Sequence, residues 1–556
     1  MPSLWSQFGQ AEKEGLISGT DPLLLPRIQR VLASVDRNSH GNDQQVYLPA
    51  NLVRLLDAFI PSTALASKDF RHKVLNRLPP ETMRSLAARL GFHSASLSFA
   101  EMTDRLASQR WEGRFAAQFV EFFGLPEHFL PQPVADTPAT YHLRADGGGY
   151  PDGWERTPFR RLKGYQFGVY EQAMERLRVP RARFVIQMPT GSGKTRTAME
   201  LIADELMSRP GSVVVWLAHA EELCEQAIEC FLHVWSHLGN SDLDVHRCWG
   251  QHPVPVLVAN RAALVVAGFQ KLHAAKSSRG PEALRGLCHR TTLVVVDEAH
   301  KTLAPTFQAV VTDLTSAITR IVGLTATPGR STVEETEKLT QFYFGEKVDI
   351  PAQGDEGVVA MLRRLKVLAR AEHRLIMTGI DVSLTPAERR EIAERFDLPE
   401  SVLRRLGSSD VRNIEIIRRL VEECNAGRQV LFFACSVEHS RFVASIMLYL
   451  GFKVGHIDGN TNASRRRALI QGFKRRDVRV LCNYGVLTTG FDAPNTDVVF
   501  ISRPTLSPVL YGQMIGRGLR GPAVGGTEKC SIIDVRDNLV GFGDDEQVYS
   551  KFDEFW

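Results

Sequence analysis

The sequence predicts an α/β protein in which two tandem parallel-sheet domains follow a mostly helical N-terminal module. Two series of short apolar segments alternate with segments of helical periodicity, and this alternation is typical of parallel sheets covered by helices. The chain has 556 residues, which is enough for three or four domains of roughly 100 to 200 residues each. The expected strands are 184–188, 213–217, 256–259, 265–268, 293–296 and 321–324 in the first series, and 430–433, 454–457, 478–483, 498–501 and 530–535 in the second.

The composition is that of an ordinary globular protein without a strong overall charge. Charged residues make up 23% of the chain and the formal net charge is +4, so a nucleic-acid surface would have to be a local basic stripe. The eight cysteines never form a C-x-x-C pair, which indicates reduced core residues rather than a zinc site. No signal peptide and no apolar segment of roughly 20 residues is present. We therefore expect a cytoplasmic protein without a membrane partner.

The pattern of the first 140 residues predicts a small helical module. Apolar residues recur every three or four positions in the segments 23–32, 52–60, 81–90 and 99–106. Ser98 and Glu101 form a capping-box pattern at the start of the last segment. The most basic stretch, residues 68–89, is either a solvated face of a helical bundle or a DNA-contacting face.

Composition also indicates where the parts of the chain meet. Residues 131–158 are rich in Pro, Gly and Asp, which favours a linker, and a charged segment after residue 355 favours helices. The C-terminal residues are acidic and aromatic. The predicted division is a helical module at 1–140, a linker at 141–160, a first domain at 161–350, a helical connector at 351–412, a second domain at 413–540 and a tail at 541–556.

The segment from residue 184 to residue 197 has the pattern of a strand, a phosphate-binding loop and a helix. Gly191 and Gly193 carry no Cβ, so the backbone can wrap around a polyphosphate and direct its N–H groups at it. Lys194 would reach the β- and γ-phosphates and the Thr195 hydroxyl would bind Mg²⁺, although Met188 replaces the first glycine of the usual pattern. The predicted nucleotide-binding loop comprises Pro189, Thr190, Gly191, Ser192, Gly193, Lys194 and Thr195.

Two adjacent acids, Asp297 and Glu298, follow directly on the apolar segment 293–296. The carboxyl ends of parallel strands share one edge of a sheet, where α/β proteins bind ligands, so both carboxylates are expected beside the phosphate loop. Asp297 would hold Mg²⁺, and Glu298 would orient and deprotonate the attacking water.

The phosphate loop, the sequence Asp-Glu-Ala-His at 297–300 and Leu-Thr-Ala-Thr-Pro at 324–328 together resemble the helicases of superfamily two. The likeness extends from about residue 160 to residue 540, and it implies two RecA-like domains with ATP bound between them. Tyr165 and Gln166 match the family's Q motif, in which the glutamine reads the adenine. The resemblance implies that three residues couple the nucleotide site to the nucleic-acid track, namely His300, Thr325 and Thr327.

The second half of the chain continues the resemblance. Residues 486–492 resemble motif five, which implies nucleic-acid contacts for Thr488 and Thr489. Residues 511–520 resemble motif six, which faces the triphosphate from the second domain. Independently of the resemblance, an arginine supplied across a cleft can stabilise a transferring phosphoryl group only when the two domains close. The further residues implied at ATP are Gly490 and Asp492 from motif five, and Gln513, Arg517 and Arg520 from motif six.

Other segments resemble the nucleic-acid contacts of the same superfamily. These contacts would fall on backbone phosphates and give little sequence specificity. Position 220 is alanine where this branch commonly has arginine, and this departure affects one expected phosphate contact. The basic runs 465–467 and 474–476 are either solvated faces or part of this surface. The implied contact residues are His219, Gln270, Gly459 and Arg465.

The sequences of the motifs are most similar to those of the branch that includes restriction-enzyme motor subunits and RadD-like repair helicases. This resemblance implies DNA as the substrate. No lysine is preceded two positions earlier by Asp or Glu, so half of a common metal-nuclease motif is absent, and any cleavage would belong to a nuclease or another defence or repair protein as partner. The resemblance implies an ATP-dependent DNA helicase or translocase in DNA repair or in defence against foreign DNA. Two alternatives stay open: an RNA-directed helicase, and an ATP-gated nucleic-acid clamp or scaffold.

Overall fold

The structure is a computed structural model. It describes residues 4–18, 24–35, 48–60, 64–92, 97–126, 129–130, 138–276, 281–329, 333–351, 357–380, 383–395, 397–461, 463–487, 493 and 495–537. The predicted tail at 541–556 and the predicted site residues Thr488, Thr489, Gly490 and Asp492 lie outside this part of the chain.

The N-terminal module is helical, as the periodicity predicts. The capping box is present, because the Ser98 hydroxyl accepts a hydrogen bond from the Glu101 N–H and the Glu101 carboxylate accepts one from the Ser98 N–H at 2.8 Å. The helices are α1 (Gln10–Ser18), α2 (Leu24–Val35), α3 (Pro49–Phe59), α4 (Lys68–Leu75), α5 (Pro80–Arg89), α6 (Phe99–Ala107) and α7 (Gly113–Phe123).

The first sheet has the strand order β1-β4-β5-β3-β6-β7-β2-β8 in the described part of the chain. All of its pairs are parallel except that of β1 with β4, which is antiparallel. Its elements are β1 (Thr140–Leu143), α8 (Gly164–Leu177), β2 (Arg183–Gln187), α9 (Lys194–Ser208), β3 (Val213–Ala218), α10 (Glu221–Leu238), β4 (Leu243–Cys248), β5 (Ala262–Gly268), α11 (Phe269–Ala275), α12 (Pro281–Arg290), β6 (Thr291–Asp297), α13 (Pro305–Asp313), β7 (Arg320–Thr325), α14 (Val333–Phe342), β8 (Lys347–Asp349) and α15 (Val358–Arg364).

The second sheet is parallel throughout its described strands and has the order β11-β12-β10-β13-β14-β9. The predicted fold class, an α/β chain with two tandem parallel-sheet domains behind a helical module, is therefore confirmed. The elements are β9 (Arg370–Met377), α16 (Pro386–Arg395), α17 (Glu400–Ser408), α18 (Asp410–Asn425), β10 (Val430–Phe433), α19 (Val437–Tyr449), β11 (Val454–Ile457), α20 (Ala463–Lys474), β12 (Val480–Asn483), β13 (Val498–Ile501), α21 (Pro508–Ile515) and β14 (Lys529–Arg536).

One predicted strand of the first domain is wrong. Residues 256–259 form no strand, and Val256 is 83% exposed; Pro253 and Pro255 lack the N–H donors that a sheet needs. The sheet uses β4 instead, whose polar residues conceal its strand pattern. They are buried with partners: Asp244, for example, accepts from His142 at 2.8 Å and pairs with Arg261 at 2.8 Å.

The predicted linker and connector both contain sheet strands. The linker at 141–160 begins within β1, and the connector at 351–412 contains β9, which forms the edge of the second sheet beside β14. The connector is therefore not wholly helical. Charged residues at three of the eight positions of β9 mask its alternation, because an edge strand is only partly buried. The exact domain boundaries stay predictions.

The N-terminal module packs on the second domain and shares one hydrophobic core with it. In this interface the Arg27 guanidinium lies 4.2 Å from the centre of the Phe442 ring and donates to the Gly407 carbonyl at 3.0 Å. The basic stretch of the module is less uniform than its sequence indicates, because Arg71 is buried and donates to the carbonyls of Leu65 and Ala107. Arg71 thus belongs to the core of the module and not to a DNA-contacting face.

Two further expectations concern the composition. All eight cysteines are unpaired, and six of them are buried, as expected for reduced core residues. Within the described helices, none has both the length and the apolar character that a membrane crossing requires.

Candidate active site

The phosphate-binding loop connects β2 to α9 and is held from behind by the helix α8. The Ser192 carbonyl accepts hydrogen bonds from the Tyr165 hydroxyl at 2.7 Å and from Gln166 Nε2 at 3.1 Å. Gly191 and Gly193 have φ angles of 88° and 91°, and a Cβ on Gly193 would collide with Gln166 Nε2. Glycine is therefore required at position 193 both for backbone conformation and for space. The structure brings both Q-motif residues to the loop itself.

Asp297 and Glu298 stand at the carboxyl end of β6, on the same edge of the sheet as the phosphate loop. The Glu298 N–H donates to Asp297 Oδ1 at 3.0 Å, and Glu298 has a left-handed φ of 55°. Such a conformation costs free energy in a residue other than glycine and is common at functional sites. The arrangement keeps two carboxylates side by side with the Lys194 ammonium nearby.

The two carboxyl groups respond differently to this environment. Burial, with the adjacent Glu298 carboxylate, raises the pKa of Asp297 to about 6. Burial also opposes ionisation of Glu298, but the positive charges of Lys194 and Arg517 outweigh it, and the pKa of Glu298 is lowered. Glu298 is thus ionised at neutral pH and can accept a proton.

His300 links the acids to two other segments of the site. Its Nδ1 lies 3.2 Å from Thr325 Oγ1, and its Nε2 lies 3.4 Å from Gln513 Nε2 of the second domain. Thr325 Oγ1 donates to the Thr327 carbonyl at 2.9 Å. Burial lowers the pKa of His300 to about 3, so the ring is neutral, and the partners assign the proton to Nδ1. One hydrogen-bond chain therefore joins Thr327, Thr325, His300 and Gln513.

The second domain supplies the opposite wall of a cavity over the phosphate loop. A Cβ on Gly516 would lie 2.5 Å from Thr190 Cβ, and one on Gly191 would lie 3.3 Å from Arg520 Cγ, so α21 and the residues after it pack directly on the loop. Arg517 is buried, and its charge acts on both site carboxylates. The residues that line the cavity include Pro189, Thr190, Glu298, Thr327, Gln513 and Gly516.

Two family models match the two halves of this site. Residues 160–330 match the model described as type III restriction enzyme, res subunit, and residues 412–521 match the helicase conserved C-terminal domain. The order of these domains and the motifs within them decide the family. The chain belongs to helicase superfamily 2.

Curated relatives of this superfamily 2 helicase are distant in sequence. It is 27% identical over 402 residues to the mitochondrial protein irc3 of Schizosaccharomyces pombe, described as an ATP-dependent helicase, with 69% of the chain and 60% of the relative covered. It is 27% identical over 336 residues to a 51.5 kDa protein of a Lactococcus phage (isolate 7-9), with 60% and 62% covered. The chain thus spans about 60% of the length of both relatives.

Among solved structures, the helicase is similar to a fragment of an HsdR subunit of a type I restriction enzyme from Vibrio vulnificus. The sequence identity is 18%, the TM-score is 0.48, and the alignment covers 68% of this chain and 65% of the other.

The residues that resemble nucleic-acid contacts lie at the strand-end edges of the helicase's two sheets. His219 follows β3, where the Lys301 ammonium donates to its Nε2 at 2.8 Å and burial lowers its pKa to about 4. Gln270, at the start of α11, is exposed, and so is Gly459 after β11. Arg465 lies near Asp458, and burial lowers its pKa to about 10. His219 is thus tied to the segment that carries the site acids, whereas Gln270 and Gly459 are accessible.

Some contacts across the cleft of the helicase were not predicted from its sequence. Lys163 Nζ donates to the Ala523 carbonyl of the second domain at 3.3 Å, and Leu368 of the connector lines the cavity. Glu222 at the start of α10 forms an ion pair with Arg466 of α20. Lys163 lies three residues before Gln166 of the Q motif, and this spacing could have indicated that it is near the cleft. Leu368 belongs to no motif in the chain.

Proposed function

We propose that the chain is an ATP-dependent DNA helicase or translocase that couples hydrolysis of Mg-ATP to movement on DNA. The observation that carries this proposal is the cavity between the two domains. The first domain contributes the phosphate loop and Glu298 to its walls, and the second contributes Gln513 and Gly516, with Arg520 over the loop. A site shared between two domains changes whenever the domains move, which is what a motor requires.

The residues fit a magnesium nucleotide. Lys194 and the N-terminus of α9 provide the positive potential that phosphates need, and Thr195 and Asp297 would hold Mg²⁺. When bound, the cation neutralises charge on the phosphates. The raised pKa of Asp297 indicates that its carboxylate lacks sufficient positive charge in the protein alone, so a cation there would be stabilising.

The remaining roles follow from position and charge. Glu298, ionised at neutral pH, would orient the attacking water and accept its proton. Arg517 and Arg520 would stabilise charge on the γ-phosphoryl group while the domains are together. The series of hydrogen bonds that runs from Thr327 through His300 to Gln513 would couple changes at the two carboxylates to the second domain.

DNA is the proposed substrate because the first-domain model describes a restriction-enzyme subunit. Binding would involve mainly phosphates, through His219, Gln270, Gly459, Arg465, Thr488 and Thr489. A role in DNA repair or in defence against foreign DNA, with a nuclease or another repair or defence protein as partner, is part of the same proposal.

The test is the rate of ATP hydrolysis by the full chain with no nucleic acid, with single-stranded DNA, with duplex DNA and with RNA. We expect strong stimulation by DNA and a loss of about 100- to 10,000-fold in Glu298→Gln, whose side chain cannot accept a proton. The matched control is Glu334→Gln, which changes an exposed glutamate of α14 and should leave every rate unchanged.

Equal rates under all four conditions would overturn the motor and favour an ATP-gated clamp or scaffold. Stimulation by RNA alone would favour an RNA-directed helicase. Undiminished hydrolysis in Glu298→Gln would contradict the proposed role of Glu298 as the base. Hydrolysis that is insensitive to EDTA would contradict the proposed use of Mg²⁺.

A further inference from the structure

A half-buried tyrosine follows β12 at the strand-end edge of the second sheet. Tyr484 comes directly after Asn483, the last residue of that strand. The same edge carries Gly459 and Arg465 after the neighbouring strand β11. Within the described part of the chain, the Tyr484 hydroxyl makes no hydrogen bond. The hydroxyl is not one of the buried side-chain polar atoms that lack a partner, so it is accessible to solvent and to a ligand.

An arginine fixes one face of this ring. The Arg503 guanidinium lies 5.7 Å from the centre of the Tyr484 ring. Arg503 follows β13, and β12 and β13 lie on either side of β10. The guanidinium is itself held by Asp397, which accepts from Arg503 at 3.1 Å and from the Thr505 hydroxyl at 3.0 Å. A cation over an aromatic face is attracted to the ring and stabilises its orientation.

The helix α17 forms a wall beside the ring. Its apolar residues pack against Cys435, which follows β10, and against Leu506. A Cβ on Gly407 would lie 2.9 Å from His439 Cβ, so the end of the helix lies directly against α19. On its exposed side, α17 carries Arg404 and Glu400, which form an ion pair at 3.4 Å and whose opposite charges both reach the Tyr484 hydroxyl. The helix falls outside the residues that either family model matches.

This combination suits the bases of a single strand. An aromatic ring can stack on any base, because every base has a π face, and a nearby arginine can contact the adjoining phosphate. Apart from Arg503, no aromatic ring or cation packs on Tyr484 among the described residues. The hydrogen-bonding and stacking capacity of the ring is thus not used up within the protein.

We propose that Tyr484 is a base-stacking platform for single-stranded nucleic acid, held by Arg503 and flanked by Arg404 of α17. The inference rests on the proposed nucleic-acid function and adds a contact of a different kind, since the other expected contacts are to phosphates. It predicts that part of the affinity comes from the bases themselves.

The experiment measures binding of the full chain to a fluorescent single strand of mixed sequence and to an abasic strand of equal length. We expect Tyr484→Leu, which keeps apolar bulk without a π face, to bind the intact strand about 5- to 150-fold more weakly. Tyr484→Phe should bind like the unmodified protein. On the abasic strand all three proteins should be equal.

Phe344→Leu is the matched control. Phe344 is an exposed aromatic residue with the Arg183 guanidinium 5.1 Å from its ring centre. It belongs to the first domain and lies near the starts of β2 and β8, at the edge of the first sheet that is opposite to its strand ends. The same ring–arginine pair at the wrong edge should leave binding unchanged. A loss in Phe344→Leu equal to that in Tyr484→Leu would overturn the proposal.

Other outcomes separate this inference from the proposed function. If the unmodified protein binds neither strand, the nucleic-acid function fails and the platform fails with it. If it binds the intact strand but Tyr484→Leu binds equally well, or loses the same factor on the abasic strand, only the platform fails. If Tyr484→Leu does not fold, the unmodified protein still decides, because equal affinity for intact and abasic strands contradicts base stacking.

Discussion

Two clusters of buried charge lie at the strand-end edges of the two sheets, and they are balanced in opposite ways. In the second sheet, Arg412 and Asp537 are fully buried and form an ion pair at 2.9 Å. Arg412 also donates to the Ser502 hydroxyl, and Asp537 accepts from the Thr378 hydroxyl at 2.6 Å. In the first sheet, the adjacent carboxylates of Asp297 and Glu298 share one site, and the pKa of Asp297 is raised.

The difference indicates two uses of buried charge. A hydrogen-bonded pair of opposite charge joins α18 to the ends of β9, β13 and β14. Removal of one partner would leave an unpaired ion in the core. Asp297 is buried and has a like charge beside it, so its ionisation costs free energy in the folded protein. The Arg412–Asp537 cluster therefore stabilises the fold, whereas the Asp297–Glu298 cluster opposes it at neutral pH, which is consistent with the proposed cation site.

The largest effect is expected from Arg412→Met, which should lower the free energy of unfolding by about 3 to 5 kcal/mol because Asp537 is left buried without its partner. Urea denaturation measures the change. Arg412→Met combined with Asp537→Leu should recover most of the loss. A cost below about 1 kcal/mol for the single variant would show that this cluster is not balanced by the ion pair.

A gain of stability, on the order of 1 to 3 kcal/mol at pH 8, is expected from Asp297→Asn. Folding raises the pKa of Asp297 from 3.8 to about 6, so the folded state binds the proton more tightly than the unfolded state does. The stability of the unmodified protein should fall as pH rises between these values, and Asp297→Asn should lack that slope. Denaturation curves across this pH window measure the free energy of unfolding of both proteins. A variant that is less stable than the unmodified protein at pH 8 would contradict the conclusion that ionised Asp297 costs free energy in the folded state.

A smaller loss, about 1 to 2 kcal/mol, is expected from Thr325→Val. The substitution leaves the Thr327 N–H without its acceptor inside the protein, and it leaves His300 Nδ1 only the longer contact of 3.4 Å to Glu298 Oε2. We also expect the nucleic-acid-stimulated rate of ATP hydrolysis to fall more than the basal rate. Thr315→Val is the control, since its hydroxyl bonds only within its own helical turn at 2.7 Å. An unchanged ratio of the two rates would place Thr325 outside the coupling chain.

The smallest effect, below about 1 kcal/mol, is expected from Arg466→Gln. Its ion pair with Glu222 crosses between the domains but is partly exposed, with the Glu222 side chain 38% accessible, and exposed pairs contribute little. Thermal denaturation is sufficient to measure the change. A loss as large as that of Arg412→Met would mean that ion pairing alone, without complete burial, explains the difference between the clusters.

The first half of the site could be predicted because its residues are contiguous. Gly191 to Thr195 and Asp297 to His300 each follow an apolar strand, and parallel strands bring their carboxyl ends to one edge. The roles of these residues stay predictions. The rest depends on contacts that no local pattern encodes: Asp537 meets Arg412 across 125 residues, and Asp397 meets Arg503 across 106. The strand β9 was missed because an edge strand carries charged residues on positions that a central strand would bury.

The docking of the N-terminal module on α18 and α19 has a consequence for biosynthesis. The module is made first, but the helices that cover its apolar face follow the end of α7 by about 300 residues. At roughly 5 to 20 residues per second, the nascent module waits roughly 15 to 60 s with that face uncovered, while the entire first domain is translated. A ribosome-associated chaperone therefore has both the time and the apolar surface it needs to engage this chain before its own second domain does.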